Sequence, residues 1–352
     1  MVRRPLVSVV MAVRNGERHL REAIDSVLAQ SFNDFELIIT DDGSTDGTSG
    51  ILASIDDSRL QILTNPENLG IPKSVNRGLD IARGRYVARF DADDVCLPTR
   101  FDRQVRLLES TDVSLTCSNV LTMDLGGEVF GATDRIIDRH SARWHMMFDC
   151  YLIQPTVMWN REEVRDRVGN YNERFLTAQD FELIGRIVEE MPAEGIQEPL
   201  VRYRVHDSSV TATRRVSQKQ LAAEVSHKRI RKALPRCQLT DFELDLLRQI
   251  WSWEDSDSFE SHRLTELVGE YLRLWQTFLQ THDQWDWDRR SPGLRWSSAD
   301  DAAKIAASYL KRKEAGALVH FLRQASHSLN IPSKEIYQAA MRRRSAQRAR
   351  TS

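Results

Sequence analysis

From residue 6 to about residue 121 the chain alternates between short apolar, β-branched runs and stretches of helical periodicity. The first run, residues 6–12 (LVSVVMA), is continuously apolar, the pattern of a strand covered on both faces. It is followed by Leu20, Ala23, Ile24, Val27 and Leu28 at the i, i+3, i+4, i+7, i+8 spacing of one helical face. The cycle repeats with a strand at 35–40 (FELIIT), a helix at 46–55 and a strand at 59–63. A helix with Pro72 in its first turn then carries Val75, Leu79 and Ala82 on one side. Residues 85–90 read as strand, Pro98 opens a helix with Phe101, Val105 and Leu108 inside, and 113–121 (VSLTCSNVL) is a further strand. Such alternation predicts a parallel, doubly wound α/β sheet, whose ligands sit beyond the carboxyl ends of the strands. Two acidic clusters, Asp41-Asp42 and Asp91-x-Asp93-Asp94, fall at those ends.

Past residue 125 the pattern loosens. Residues 153–159 are compatible with a strand, 161–168 and 178–190 with helices, and 198–205 with an extended segment. From about 215 onward the periodicity is helical, with candidates at 216–233, 240–251, 258–281, 299–325 and 333–347, the second capped by Thr240. With 352 residues the chain is long enough for two domains, predicted as 1–212 (α/β) and 213–352 (α-helical). A formal net charge of −2 provides no global field for nucleic acid. The cysteines Cys96, Cys117, Cys150 and Cys237 have no zinc-like spacing and read as reduced thiols of a cytosolic protein. No apolar stretch approaches the roughly 18 residues of a membrane span. The opening Arg3-Arg4 and its apolar run lead straight into Arg14-Asn15-Gly16-Glu17, which favours a first strand over a signal peptide.

Carboxylates at the edge of an apolar core cost free energy unless a cation or hydrogen-bond donors balance them. Asp91, Asp93 and Asp94 offer the oxygen ligands that suit Mg²⁺ or Mn²⁺, which commonly bind one or two protein carboxylates together with substrate phosphates. Capping of the helix ahead of Pro98 is the competing reading. At Asp41-Asp42-Gly43-Ser44-Thr45-Asp46 a strand–helix turn accounts for Ser44 to Asp46, whereas the adjacent acids need donors, for which a nucleobase imide N–H is one candidate.

Together, "VSVVMAVRNGERHLREAIDSVLAQSFNDFELIITDDGSTDGT", "NPENLGIPKSVNRGLDIARGRYVARFDADD", "GNYNERFLTAQDFELIGRI" and "YRVHDSSVT" resemble glycosyltransferase family 2, over about residues 5–212 and in the expected order. The resemblance implies a GT-A fold and inverting transfer of a sugar from a nucleotide-diphosphate donor, with Mn²⁺ or Mg²⁺. It implies that Asp42 accepts from the base beside the backbone of Ala12 to Arg14, that Asp91 faces the ribose or diphosphate, and that Asp93 binds the metal, joined by Asp94 and His206. Lys73 and Arg77 are candidates to reach the diphosphate. Asp180 is carried over as the general base that takes the acceptor hydroxyl's proton, with Gln179 where many members have a second acid. The implied partners are a nucleotide-diphospho-sugar donor, UDP-sugar favoured, and a glycan, lipid-linked or protein hydroxyl acceptor. That chemistry suits polysaccharide or glycoconjugate biosynthesis by a cytoplasmic protein, with peripheral contact at the inner membrane face as one expectation.

Two other classes compete: a catalytically inactive sugar-nucleotide-binding or scaffold protein, and a nucleotidyltransferase. The acids at 91, 93 and 180 argue against the first. The second would want a Gly- and basic-rich loop after the first strand, where "AVRNGERH" stands. In the tail, Trp251, Trp253, Trp275, Trp285, Trp287 and Trp296 read as a helical core or interface in preference to a sugar-stacking surface. Arg342, Arg343, Arg344, Arg348 and Arg350 make a basic end that suits either solvent or anionic lipid.

Overall fold

The computed structural model describes residues 4–205, 215–235, 239–252, 269–276, 278, 302, 306, 318, 321–326 and 333–341. Contacts divide the chain into two compact units. One is formed by Met1–Met146 with Cys150–Ala222, the other by Met147–Asp149 with Ala223–Ser352.

The first unit is an α/β domain around a nine-stranded mixed sheet. In chain order its elements are β1 (Val7–Val13), α1 (Leu20–Leu28), β2 (Phe35–Asp41), α2 (Thr48–Ala53), β3 (Leu60–Thr64), α3 (Ile71–Ile81), β4 (Tyr86–Arg89), β5 (Val95–Cys96), α4 (Arg100–Ser110) and β6 (Leu115–Met123). They continue with β7 (Val129–Ala132), α5 (Arg139–His145), a one-turn 3-10 helix (Gln154–Thr156), β8 (Met158–Asn160), α6 (Arg161–Arg167), α7 (Gln179–Glu190) and β9 (Ala193–Arg204). The sheet order is β3-β2-β1-β4-β8-β6-β9-β5, with β7 paired to β6.

The half β3-β2-β1-β4 is parallel, as the strand–helix alternation predicts. β2 is buried along its whole length and β1 along nearly all of it, because helices cover both faces. Leu20, Ala23, Ile24 and Val27 of α1 are fully enclosed in the core cluster beside Val7, Val9 and Leu37. Each of the Leu, Ile and Val side chains contributes about 1.5–3 kcal/mol on burial.

The other half departs from the expected all-parallel sheet. β8 enters antiparallel between β4 and β6, β9 runs parallel to β6, and β5 pairs antiparallel with β9. Because β8 has three residues and β5 two, their state depends on the strands they meet, which local periodicity does not encode. The sheet therefore carries β9 back past the carboxyl end of β4, and Arg202 lies opposite Val95.

In the second unit the described residues are helical or lie between helices. The helix that begins at Arg215 and ends at Ala233 (α8), shared with the first unit, is followed by α9 (Asp241–Ser252). Thr240 caps α9 as predicted: its Oγ1 accepts from Glu243 N at 3.3 Å, while Glu243 Oε2 accepts from Thr240 N at 2.8 Å. Met147–Asp149 joins this unit through Ser226 Oγ, which donates to Met147 O at 2.6 Å, and Arg248 Nε, which donates to Phe148 O at 3.0 Å. Trp275 is buried beside Phe278, their ring centroids 6.4 Å apart. The other tail tryptophan side chains and the arginines at 342–350 lie outside the described residues. No described helix is long and apolar enough to cross a membrane.

Candidate active site

The acid turn begins where β4 leaves the sheet. Arg89, 1% exposed, turns its guanidinium under the turn. It donates to Val10 O, to Phe90 O at 3.0 Å, to the Tyr171 hydroxyl at 3.3 Å and to Asp91 Oδ1 at 3.1 Å. Gln154 Nε2, from the 3-10 turn, donates to the same Asp91 oxygen at 3.1 Å. One oxygen of Asp91 is thus held from below by two donors. Burial raises the Asp91 carboxyl above its ordinary range; Arg89 and Gln154 oppose that shift, and the charges of Asp93 and Asp180 add to it.

Asp94 is 1% exposed. Its Oδ1 accepts from Arg204 N at 2.7 Å, and its Oδ2 is buried without a hydrogen-bond partner. Burial, followed by the charges of Asp93 and Asp91, pushes its carboxyl well above the ordinary value. Arg204 ties the turn together, since its Nε donates to Asp93 O and its Nη2 to Glu22 Oε2, each at 2.7 Å. Its Nη1 reaches the carbonyls of Asp124 and Leu125 at 3.1 and 3.2 Å.

Asp180 arrives from elsewhere in the chain. Ala178 takes a left-handed conformation (φ 57°, ψ 20°) and starts α7, whose Phe181, Leu183, Ile184 and Ile187 are buried. Asp180 stands in the first turn with Oδ1 accepting from Phe181 N at 2.8 Å. Its charge acts on Asp91, on Tyr171 and on Tyr203. The fold therefore brings Asp91, Asp93, Asp94 and Asp180 into one electrostatic neighbourhood. Asp93 and Asp94 come close because they are sequence neighbours; Asp180 is brought by α7, which packs against α5.

Six members of this neighbourhood were not singled out in the sequence: Arg89, Gln154, Tyr171, Tyr203, Arg204 and His19. His19 precedes α1 with its Nε2 buried and unpartnered. Burial, then Arg204 and Arg18, lowers its pKa, against the pull of Asp93 and Glu22. All but Arg89, which is two residues from Asp91, approach the acids only through long-range pairing. The available signal was a polar residue inside or beside an otherwise apolar run, as at Arg89 in "YVARF".

The Asp41–Asp42 cluster lies at the carboxyl end of β2, and both acids are 3% exposed. Asp41 Oδ1 accepts from Ser44 N at 3.0 Å. Asp42 Oδ1 accepts from Asn65 Nδ2 at 2.8 Å and Leu69 N at 2.7 Å, and Oδ2 accepts from Gly70 N at 2.9 Å. The donors that these acids require are thus found first in the chain itself, and Asp42 shapes the 65–70 loop. Gly43 (φ +65°) makes the turn possible: a Cβ there would stand 2.6 Å from the Glu67 carbonyl carbon.

The other predicted contacts are dispersed. Ala12 lies opposite Thr40 near the end of β1, and Arg14 just beyond it is exposed. Lys73 is exposed on the first turn of α3. Arg77 turns toward the end of β3, donating to Thr64 O and Asn65 Oδ1. His206 lies outside the described residues. Among the described residues, no group of three or more His, Cys, Asp or Glu is arranged to hold a metal ion. A cavity of about 110 Å³ bounded by Leu79, Trp159, Val164 and Leu183 includes none of the four acids in its lining.

Comparison with known proteins identifies the domain. Residues 8–161 match the family described as Glycosyl transferase family 2. An uncharacterized glycosyltransferase of Methanocaldococcus jannaschii is 31% identical over 208 residues, 57% of this chain and 71% of the relative. The Escherichia coli UDP-Glc:alpha-D-GlcNAc-diphosphoundecaprenol beta-1,3-glucosyltransferase WfaP is 30% identical over 217 residues, 59% of this chain and 81% of that protein. The crystal structure of S. aureus TarS 1-349 in complex with UDP-GlcNAc superposes with a TM-score of 0.57 at 15% identity, covering 91% of each chain, which establishes a shared fold. With a sheet that ends its strands on acids, and relatives that share the same domain, the chain belongs to glycosyltransferase family 2 and is a nucleotide-sugar transferase of the GT-A fold.

Proposed function

We propose that this glycosyltransferase inverts the anomeric centre in a single displacement assisted by Mn²⁺ or Mg²⁺, taking its sugar from a UDP-linked donor. The observation that carries this reading is the convergence of Asp180 with Asp91, Asp93 and Asp94 from distant parts of the chain. One carboxylate to take a proton and a separate group of carboxylates to hold a cation are the two things such a displacement needs. We assign the chemistry to residues 1–212, with 213–352 as an α-helical domain.

The donor set supports a cation site. Mutually repelling carboxylates and the unpartnered Asp94 Oδ2 form an oxygen-rich site short of positive charge. Two carboxylates, Asp93 and Asp94, suffice for Mg²⁺ or Mn²⁺ when substrate phosphates complete the shell. His206 is a further candidate ligand. When bound, the metal supplies Lewis-acid neutralisation of the departing diphosphate.

The remaining work falls to the protein's own groups. Asp180 accepts the proton of the acceptor hydroxyl as that oxygen attacks, and α7 holds it in place. Asp91, with one oxygen pinned by Arg89 and Gln154, turns the other toward the ribose or diphosphate. Asp42 orders the loop that borders the base and offers its remaining lone pair to the base N–H, beside the backbone of Ala12 to Arg14. Lys73, exposed and free to swing, meets the diphosphate from α3.

The UDP-GlcNAc of the TarS complex and the UDP-Glc in the name of WfaP support a UDP-sugar donor. The diphosphoundecaprenol acceptor in the WfaP name supports a lipid-linked acceptor over free glycan or protein, and with it work at a membrane surface.

The test is a panel of nucleotide sugars with Mn²⁺, with and without excess EDTA, scored for donor hydrolysis and for transfer with the anomeric configuration of the product determined. The expected result is turnover of a UDP-sugar, lost in EDTA, giving a β-linkage from an α-configured donor. Undiminished activity in EDTA overturns the metal; retention of configuration overturns the single displacement. Tight donor binding without any turnover favours a sensor over an enzyme.

A further inference from the structure

We infer that the Tyr203 hydroxyl is a donor to the diphosphate of the nucleotide sugar, acting beside the acids as a neutral hydrogen-bonding group. The inference rests on the donor reading above and assigns a further residue to that site.

The backbone brings Tyr203 to the acid turn. β5 pairs with β9 with Val95 opposite Arg202 and Cys96 opposite Val201, so one step further along this antiparallel register Tyr203 lies opposite Asp94. On its other side Tyr203 is paired with Thr122 of β6. Arg204, the next residue, donates its backbone N–H to Asp94 Oδ1, which fixes β9 against the turn at this point. The ring is half-buried and packs against the main core.

The hydroxyl itself makes no hydrogen bond among the described residues, nor is it sealed in the interior. A phenol whose ring is anchored in a core ordinarily finds a partner for its O–H. Around it stand Asp94, Asp91, Asp93 and Asp180, whose charges act on it. The phenol is therefore an O–H donor set among acceptors.

Such a group suits a ligand that brings negatively charged oxygens into a site already rich in carboxylates. A diphosphate with its cation does so. The cation meets the carboxylates, while the phosphate oxygens that do not face it need donors from the protein. Among the described residues facing the turn, Arg204 and Arg89 are already committed to the chain's own carbonyls and carboxylates. The phenol is uncommitted. The hydrogen bond would strengthen as the diphosphate gains charge on leaving, so its loss should appear in kcat as well as in binding.

The experiment compares wild type with Tyr203→Phe, which removes one oxygen and keeps the ring, and with Tyr203→Leu, which removes the packing as well. UDP affinity is measured by calorimetry with Mn²⁺ and again in EDTA, alongside melting temperature and steady-state transfer. The expected result is that Tyr203→Phe melts with the wild type, binds UDP about 10-fold more weakly in both conditions, and loses about 10-fold or more in kcat. Tyr203→Leu should add a fall in melting temperature. Tyr203→Phe with wild-type UDP affinity and kcat overturns the inference, as does a Phe variant whose losses track a lowered melting temperature. Wild type that binds no UDP at all overturns instead the donor reading on which the inference rests.

Discussion

Asp180 and Asp42 are both acids at element ends, yet the structure gives them different surroundings and their substitutions should separate. Asp180 is half-buried, and the helix behind it is anchored by Phe181, Ile184 and Ile187. Asp180→Asn preserves shape and cannot accept the proton. Its kcat should fall by about 10²-fold or more while UDP affinity and melting temperature stay at wild-type values. Steady-state kinetics beside calorimetry checks this, and a normal rate would move the base elsewhere. Asp42 holds three donors of its own chain. Asp42→Asn turns an all-acceptor group into one that must present N–H to some of those donors. It should lose about 1–3 kcal/mol of stability together with UDP affinity, since each buried donor left unmet carries roughly that cost. Denaturant unfolding and UDP titration of one variant test the link; weakened binding at full stability would make Asp42 a ligand contact alone.

Apart from α5, which the sequence reading passed over, the helices and long strands of the first unit were legible from periodicity. α1, α3, α4 and α7 present apolar faces at the helical repeat, and β1 and β2 read as continuous apolar runs. β5 and β7 were not, and β8 only in part, the run read at 153–159 reaching its first two residues, because two to four residues acquire strand character only from the strands they pair with. The site divides the same way. Its acids were legible because carboxylates at strand ends have few apolar explanations, whereas the donors that balance them come from β9 and the 3-10 turn, far away in sequence. Gly43 is a turn whose demands can be measured. Alanine there must hold a positive φ and drive its Cβ into the backbone of Glu67 and Asn68. The left-handed conformation alone costs about 1–2 kcal/mol for an L-residue, and backbone on the far side cannot step aside cheaply. Gly43→Ala should therefore lower the melting temperature by several degrees and weaken UDP binding. An unchanged melting temperature would show that the 65–70 loop yields freely.

At the scale of the whole molecule the chain forms two compact units, so its unfolding is not expected to be a single two-state event. Trp275 is 4% exposed in the second. Trp275→Ala should remove about 3–5 kcal/mol from that unit. In scanning calorimetry it should lower one transition, while UDP with Mn²⁺ raises the other, as binding to a native state requires. A variant that melts normally but has a raised acceptor KM would instead make the tryptophan a sugar platform. The knot of contacts made by Arg204 has a further consequence, for the order in which this protein becomes itself. Its guanidinium bonds Glu22, 182 residues upstream, and its backbone N–H bonds Asp94, 110 residues upstream. Contacts between such distant positions wait on chain closure and form late. A nascent chain leaving the ribosome can lay down β1 to β4 with the acids in sequence, and Arg89 and Gln154 can then hold Asp91, yet Asp94 lacks its backbone donor until residue 204 emerges. Synthesis thus delivers the parallel half of the sheet first and the closed acid turn only after residue 204, and a fragment stopped short of Arg204 would carry Asp91, Asp93, Asp94 and Asp180 without the clamp that Arg204 supplies.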